Sequence, residues 1–199
     1  MTKKLFLIRH GKAEMEGSDR ERILDKDGII QATSLCKKIK SQFQDKSVRL
    51  ISSPFKRAIQ TIEKLSEDFH VKIEENPSLE EINIGKDKNL SKHEIIKKMW
   101  DDEYFKVENG SSQSDHVEQI KVELNKILND FYEKDYNLIL VSHGNSIGII
   151  LKYFLNQKFT FDDWKSISMP DMYSVSFDEN NKVIDFQRDV EGIEKIFKI

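Results

Sequence analysis

With a single cysteine, Cys36, the chain can form no intramolecular disulfide and no cysteine-based zinc site. That thiol is expected on the apolar face of a helix, where Cys behaves as a small hydrophobe. No apolar run approaches the roughly 20 residues that cross a bilayer. The basic start Lys3-Lys4 is followed by too short an apolar stretch for a signal peptide. These absences predict a cytoplasmic, reducing setting and no membrane partner. A large excess of charge is lacking as well. The formal net charge is −3 over 199 residues, so there is no bulk attraction to nucleic acid, and any anion-binding site must be a local cluster. Internal repeats, low-complexity tracts and linkers are also missing, which predicts one domain over 1–199. Apolar residues at 38% and charged residues at 34% describe a globular chain able to bury a core rather than a disordered one.

The chain is organised around Leu5-Phe6-Leu7-Ile8-Arg9-His10-Gly11. Four apolar residues in a row read as a strand buried on both faces. A cation and an imidazole at the end of such a strand are costly unless an anion meets them, and Gly11 allows a sharp turn and close approach. Val48-Arg49-Leu50-Ile51 is a second strand, ending in Ser52-Ser53-Pro54, and Leu138-Ile139-Leu140-Val141 is another, ending in Ser142-His143-Gly144-Asn145. Between them run helical stripes: Ala32, Leu35, Ile39 and Phe43 after Gly28; Ala58, Ile62, Leu65 and Phe69; Val117, Ile120, Leu124, Ile127 and Phe131. The first helix is expected to end at Asp45-Lys46, and Ser53 to cap the second with Pro54 in its first turn. Val71 to Ile73, with His70 at its start, reads as a short strand. Ser91 is expected to cap a helix running to about Phe105, and a further helix is expected from about Ser146 through Leu155. Tyr173–Phe177 and Lys182–Phe186 alternate around Asn180-Asn181 and predict a hairpin at a sheet edge. The fold class is therefore α/β: a three-layer α/β/α sandwich with a mainly parallel central sheet, and about 79–115 forming a small helical and loop cap over the active site. In such sheets ligands bind at the carboxyl ends of the strands. The long polar stretch from Lys12 to Lys26 rims that end.

Those strand ends deliver Arg9 and His10, Arg57, and His143. Two guanidinium groups at one point repel each other unless an anion sits between them, and their fork matches phosphate oxygens. Two histidines beside them can divide the work of phosphoryl transfer, one attacking phosphorus and the other bonding a non-bridging oxygen. A leaving alkoxide needs a proton, for which Glu80 and Glu81 stand in an irregular loop within reach. The blander alternatives are a hydrogen-bonded core imidazole for His10, a turn cap for His143, and structural ion pairs for the arginines. Ser52 reads as a turn residue. His70, His93 and His116 are expected at the surface, and Phe154, Phe159, Phe161 and Trp164 in packing.

Several blocks resemble the histidine phosphatase superfamily, the phosphoglycerate mutase-like fold, in its cofactor-independent phosphatase branch. Leu7-Ile8-Arg9-His10-Gly11 is similar to the signature whose His is the phosphorylated nucleophile and whose Arg binds phosphate. Leu24-Asp25-Lys26-Asp27-Gly28-Ile29-Ile30-Gln31-Ala32 resembles a Leu-Thr-x-x-Gly-x-x-Gln-Ala segment, with Asp25 in place of Thr. Ser52-Ser53-Pro54-Phe55-Lys56-Arg57-Ala58 is similar to the block whose Arg binds phosphate. Leu79-Glu80-Glu81-Ile82-Asn83-Ile84-Gly85 resembles the block that supplies the acid, which points to Glu81. Val141-Ser142-His143-Gly144 is similar to the block carrying the second phosphate-pocket His. The resemblance implies a phosphoric monoester hydrolase with His10, Glu81, His143, Arg9 and Arg57 catalytic, and with Gly11, Arg22, Gly144 and Asn145 among the substrate contacts. It implies no metal and no organic cofactor, a small phosphorylated substrate, and room for a homodimer. Departures from the pattern matter. Glu16 replaces a common Asn, and Lys86-Asp87-Lys88-Asn89 replaces Glu-Trp-Glu-Gly. Gly148 stands where the mutases have Arg. Ser18 to Leu24 looks like the small bacterial phosphohistidine phosphatases, where an Arg at the position of Arg22 joins the phosphate pocket. Besides small-molecule phosphatase, the rival readings are protein phosphohistidine phosphatase, phosphoglycerate mutase, and a non-catalytic module binding a phosphorylated ligand.

Overall fold

The structure is a computed structural model that describes residues 3–43, 47–156 and 158–188, together with the backbone of 189–190 and 193–196. Seven strands form one sheet: β1 (Lys3–Arg9), β2 (Val48–Ser52), β3 (Ile73–Glu75), β4 (Asn137–Ser142), β5 (Asp171–Phe177), β6 (Val183–Val190) and β7 (Ile193–Ile196). Their order is β3-β2-β4-β1-β5-β6-β7. The first four run parallel; β5, β6 and β7 extend the sheet antiparallel from β1.

The period-two alternation of a strand sorts β1 between two cores. Phe6 and Ile8 join Leu35, Cys36, Ile39, Ala58, Ile62 and Leu65 of α1 (Lys26–Gln42) and α2 (Lys56–Phe69). Leu5 and Leu7 join Ile120, Leu124, Ile127 and Phe131 of α4 (Gln113–Glu133) on the opposite face. The remaining helices are α3 (Lys92–Asp101), α5 (Gly144–Ile149), which continues as a π-turn over Ile150–Phe154, and α6 (Phe161–Lys165). A third, smaller cluster of Ile82, Ile95, Met99 and Ile149 seats α3 on α5.

Several local expectations shift. Helix α1 begins two residues before Gly28, because Asp25 caps it through the Gly28 N–H. It ends at Gln42; Asp45-Lys46 lie outside the described residues. Ser91 caps α3 with a full capping box, but the helix stops at Asp101 rather than near Phe105. Helix α2 starts at Lys56, and the Ser53 hydroxyl does not cap it. His70 closes α2 in a left-handed conformation (φ 55°) instead of opening β3. The hairpin around Asn180-Asn181 forms, yet β5 is an interior strand with all seven residues buried, because β1 flanks it on its other side. His116 is not at the surface: it lies in α4 with 5% of its area exposed.

One ion pair braces the site from below. Arg188 on β6 and Asp171 on β5 are both 2% exposed and bonded to each other. Arg188 also donates to the Ser166 carbonyl and hydroxyl. Asp171 accepts from the Ser168 N–H at 2.8 Å. The pair thereby fixes the loop whose carbonyls hold Arg9. Arg188→Met strands a buried carboxylate, and the expected cost is about 3–5 kcal/mol, read as a lower urea midpoint with unchanged slope. Lys97→Ala, which breaks the exposed pair with Asp101, is expected to cost less than about 1 kcal/mol. Equal shifts for the two variants would remove the brace from the account.

Candidate active site

The site is a consequence of register. Arg9 on β1 pairs with Ser142 on β4, and the His10 N–H donates to the Ser142 carbonyl at 3.2 Å. The residues leaving these two strands are therefore neighbours, and the His10 and His143 rings lie 5.0 Å apart between centroids. On the other side of β4, the Ser53 N–H donates to the Val141 carbonyl at 2.9 Å. This brings in the end of β2 and, in the first turn of α2, Arg57.

His10 Nδ1 sits 2.7 Å from the Gly11 carbonyl. A carbonyl only accepts, so Nδ1 carries the proton and Nε2 keeps its lone pair. Arg57 Nε donates to that Nε2 at 3.1 Å, and Arg57 Nη2 donates to His143 Nδ1 at 3.2 Å. His143 must then carry its proton on Nε2, which donates to Ser53 Oγ at 2.8 Å. Burial, and after it the Arg57 charge, pushes His10 down to about 3. Burial, then His10 and Arg57, holds His143 well below the usual histidine range. Both rings are neutral at neutral pH. Phe55 packs against both partners, its ring 4.8 Å from the His143 ring and 4.9 Å from the Arg57 guanidinium carbon.

Arg9 donates from Nη1 to the carbonyls of Ile167 (2.9 Å) and Ser168 (3.2 Å), while its buried Nε has no partner among the described residues. Its guanidinium lies flush on Gly144, where a Cβ would come within 3.3 Å of it. Gly11 contributes its carbonyl to the site; its N–H is taken by Thr61 Oγ1 at 3.0 Å. Asp19 rests on the cations. Its carboxylate meets Arg22 and Arg57, and its carbonyl accepts from Arg57. Burial raises the Asp19 carboxyl, but Arg22 and Arg57 outweigh it and hold the group below the ordinary range. An acidic side chain thus occupies the place where two arginines converge. The same charges, with Arg22 among them, depress both imidazoles.

Glu81 lies at the N-terminus of α5, where the helix presents its unpaired donors. Oε1 accepts from the N–H groups of Ile82 and Ser146 and from Ser146 Oγ, each at 3.1 Å. Oε2 accepts only from the Asn145 N–H, at 3.3 Å. Glu80 turns away and pairs with Arg20. A cavity of about 650 Å³ opens against Asp19, Phe55, Glu81, Asn145, Lys86 and Lys92. Among the described residues no cluster of three His, Cys, Asp or Glu side chains is arranged to hold a metal ion, and no helix is long and apolar enough to cross a membrane.

The structure thus brings Arg9, His10, Arg57 and His143 together with Arg22, Gly144 and Asn145, and sets Glu81 beside them. Asp19, Ser53, Phe55 and His116 belong to this neighbourhood without being expected there. The hints of Asp19 were the length of the Lys12–Lys26 loop and the resemblance carried by Ser18 to Leu24.

The sequence model of the histidine phosphatase superfamily (branch 1) matches residues 5–190. No curated protein is significantly similar to the chain in sequence. Among solved structures, a mycobacterial glucosyl-3-phosphoglycerate phosphatase with inorganic phosphate aligns with a TM-score of 0.70 at 18% identity, over 94% of this chain and 96% of that one. A phosphoserine phosphatase mutant from Entamoeba histolytica in complex with phosphoserine aligns with 0.69 at 22% identity, over 92% and 96%. The protein histidine phosphatase SixA with tungstate aligns with 0.59 at 18% identity, over 94% of each. At these identities the likeness is one of fold.

Proposed function

Because the chain belongs to branch 1 of the histidine phosphatase superfamily, we propose that it hydrolyses phosphomonoesters of small molecules through a phosphohistidine on His10. The observation that carries this reading is the neutral His10 ring, its Nδ1 proton held by the Gly11 carbonyl and its Nε2 lone pair aimed among Arg57, Arg9 and Arg22. In the first step Nε2 attacks phosphorus, the P–O bond to the leaving group breaks, and the leaving oxygen takes a proton from Glu81. In the second, water attacks the phosphorus of phosphohistidine, gives its proton to Glu81, and the P–N bond breaks to release inorganic phosphate. Arg9 and Arg57 hold the phosphoryl oxygens. As Arg57 turns from the two rings to the phosphate, His143 takes the tautomer with its proton on Nδ1 and donates to a phosphoryl oxygen, and Arg22, Gly144 and Asn145 line the pocket around them. Phosphate displaces the Asp19 carboxylate from the arginines as it enters. A cytoplasmic setting for a small phosphorylated substrate, with no metal, completes the reading, and the buried thiol of Cys36 is in keeping with it.

Hydrolysis is favoured over mutase chemistry. A mutase must seat a second acidic group and keep water from its phosphohistidine. At Gly148 a side chain would point into Trp100, with a Cβ 2.9 Å from its ring, so the cation that mutases carry there has no room. Lys86 and Lys92 on the cavity wall are offset by Asp19, Glu80 and Asp87. Incubation with 3-phosphoglycerate is expected to release inorganic phosphate with little conversion to the 2-isomer, and para-nitrophenyl phosphate to be hydrolysed outright. Isomer exchange that outruns phosphate release makes the chain a mutase; no release from any ester leaves a binding module.

A further inference from the structure

Behind Glu81, on the side away from Asp19 and Phe55, lies a second cavity of about 520 Å³. Its polar wall includes Ser78, Asn83, His116, Gln119 and Glu123. His116 reaches from α4 to the first turn of α5, where its Nε2 is 3.3 Å from Ser146 Oγ. The same hydroxyl lies 3.1 Å from Glu81 Oε1 and 2.7 Å from the Glu80 carbonyl, and it accepts from the Ile82 N–H at 3.2 Å. A hydroxyl has two lone pairs and one proton. With the Ile82 N–H on one lone pair and a His116 Nε2–H on the other, the proton can only point toward Glu80 O or Glu81 Oε1. Take the imidazole away and the hydroxyl is free to turn toward the cavity.

We propose that His116 is a positioning residue for the reaction: through Ser146 it pins Oε1 of Glu81 to the N-terminus of α5, so that Oε2 is the oxygen presented to the leaving group and to water. This rests on Glu81 being the proton-transferring group of the proposed function. The Glu80 carbonyl and the Glu81 carboxylate only accept, so the hydroxyl proton lies on their side and His116 Nε2 carries the proton between ring and hydroxyl. Burial pushes His116 down to about 4, so the ring donates as a neutral group and adds no charge beside the carboxyl. The chemistry of the acid then depends on a residue outside the sequence blocks that mark the site.

The test compares an alkyl phosphate with para-nitrophenyl phosphate, whose leaving group departs without a proton. His116→Leu removes the donor and keeps the bulk. It is expected to lower kcat/KM, which ends at phosphorylation of His10, about tenfold for the alkyl ester, the size of one well-placed hydrogen bond, and to leave kcat/KM for the aryl ester nearly unaffected. His116→Gln, whose amide can reach Ser146, is expected to restore most of the loss. In a Glu81→Gln background, His116→Leu is expected to cause no further change. Equal slowing of both esters by a folded His116→Leu variant, a His116→Gln variant as slow as His116→Leu, or a further loss in the Glu81→Gln background each overturns the role of His116. If Glu81→Gln alone slows both esters equally, the fault lies in the assignment of Glu81, and the proposal falls with it.

Discussion

His10→Ala is expected to remove turnover by roughly 10⁴-fold or more, the scale seen when a covalent nucleophile is deleted, while the protein stays folded. The ring contributes one bond to the Gly11 carbonyl and accepts one from Arg57. It lines the anion pocket rather than either apolar core, so its loss opens space that water can enter. The cost is chemical, because Nε2 of His10 is the atom that attacks phosphorus in the proposed reaction. Rapid quenching of wild type in alkaline denaturant with a labelled ester should trap acid-labile phosphate on His10, and the Ala variant should trap none. The low proton affinity of the ring gives a second measurement. With His10 at about 3 and His143 well below the histidine range, neither ring of the free protein should gain a proton as the pH falls from 8 to 5, and their imidazole resonances should stay flat in that window. The sign follows for stability: the unfolded chain binds those protons near pH 6.5 while the folded chain refuses them, so stability is lost as pH falls below 6.5. Wild-type turnover in the Ala variant, or a histidine at this position that titrates near 6.5, removes His10 as nucleophile.

What the sequence made legible is what local pattern dictates. Leu5 to Ile8 could only be a strand with both faces covered, and the abrupt change at Arg9 marked where it meets the ligand. The apolar stripes of α1, α2 and α4 placed their helices, and Ser91 placed a cap. The failures share a physical cause: a polar side chain engaged by a partner distant in sequence. Ser53 stands where a cap should be, but its hydroxyl faces His143, ninety positions away. Phe55 reads as an apolar residue at a helix start, yet it is the surface on which Arg57 and His143 are packed. His116 sits among charged and polar neighbours in the chain and looks solvated. Only the closeness of α4 to the first turn of α5 buries it. Asp19 carries no local signal either, because its meaning lies in two arginines that the fold brings to it.

Glu81→Gln is expected to have the second largest effect and to fall unevenly, slowing alkyl phosphates by roughly 10²–10³-fold, within the range of general acid–base catalysis, and aryl phosphates far less. The geometry makes this substitution a clean one. Oε1 is held by the Ile82 and Ser146 N–H groups and shares the Ser146 hydroxyl proton with the Glu80 carbonyl, whereas Oε2 has, among the described residues, the Asn145 N–H alone at 3.3 Å. A glutamine can put its carbonyl where Oε1 stands and keep that whole set. Its amide then takes the place of Oε2, at the expense of the one long bond. The side chain remains in position but can no longer pass a proton, so the variant tests proton transfer rather than structure. Glu80 supplies the control. Its carboxylate is committed to Arg20, and Glu80→Gln should leave the alkyl-to-aryl ratio at its wild-type value. A nitrophenolate leaves unaided, an alkoxide does not, and dephosphorylation of His10 is common to both. Taken as kcat/KM, which ends at phosphorylation of His10, the ratio isolates the first step from the second, in which Glu81 also acts. If Glu81→Gln slows the two esters alike, or if Glu80→Gln shifts the ratio more, the proton reaches the leaving oxygen by another route and Glu81 serves only to cap α5.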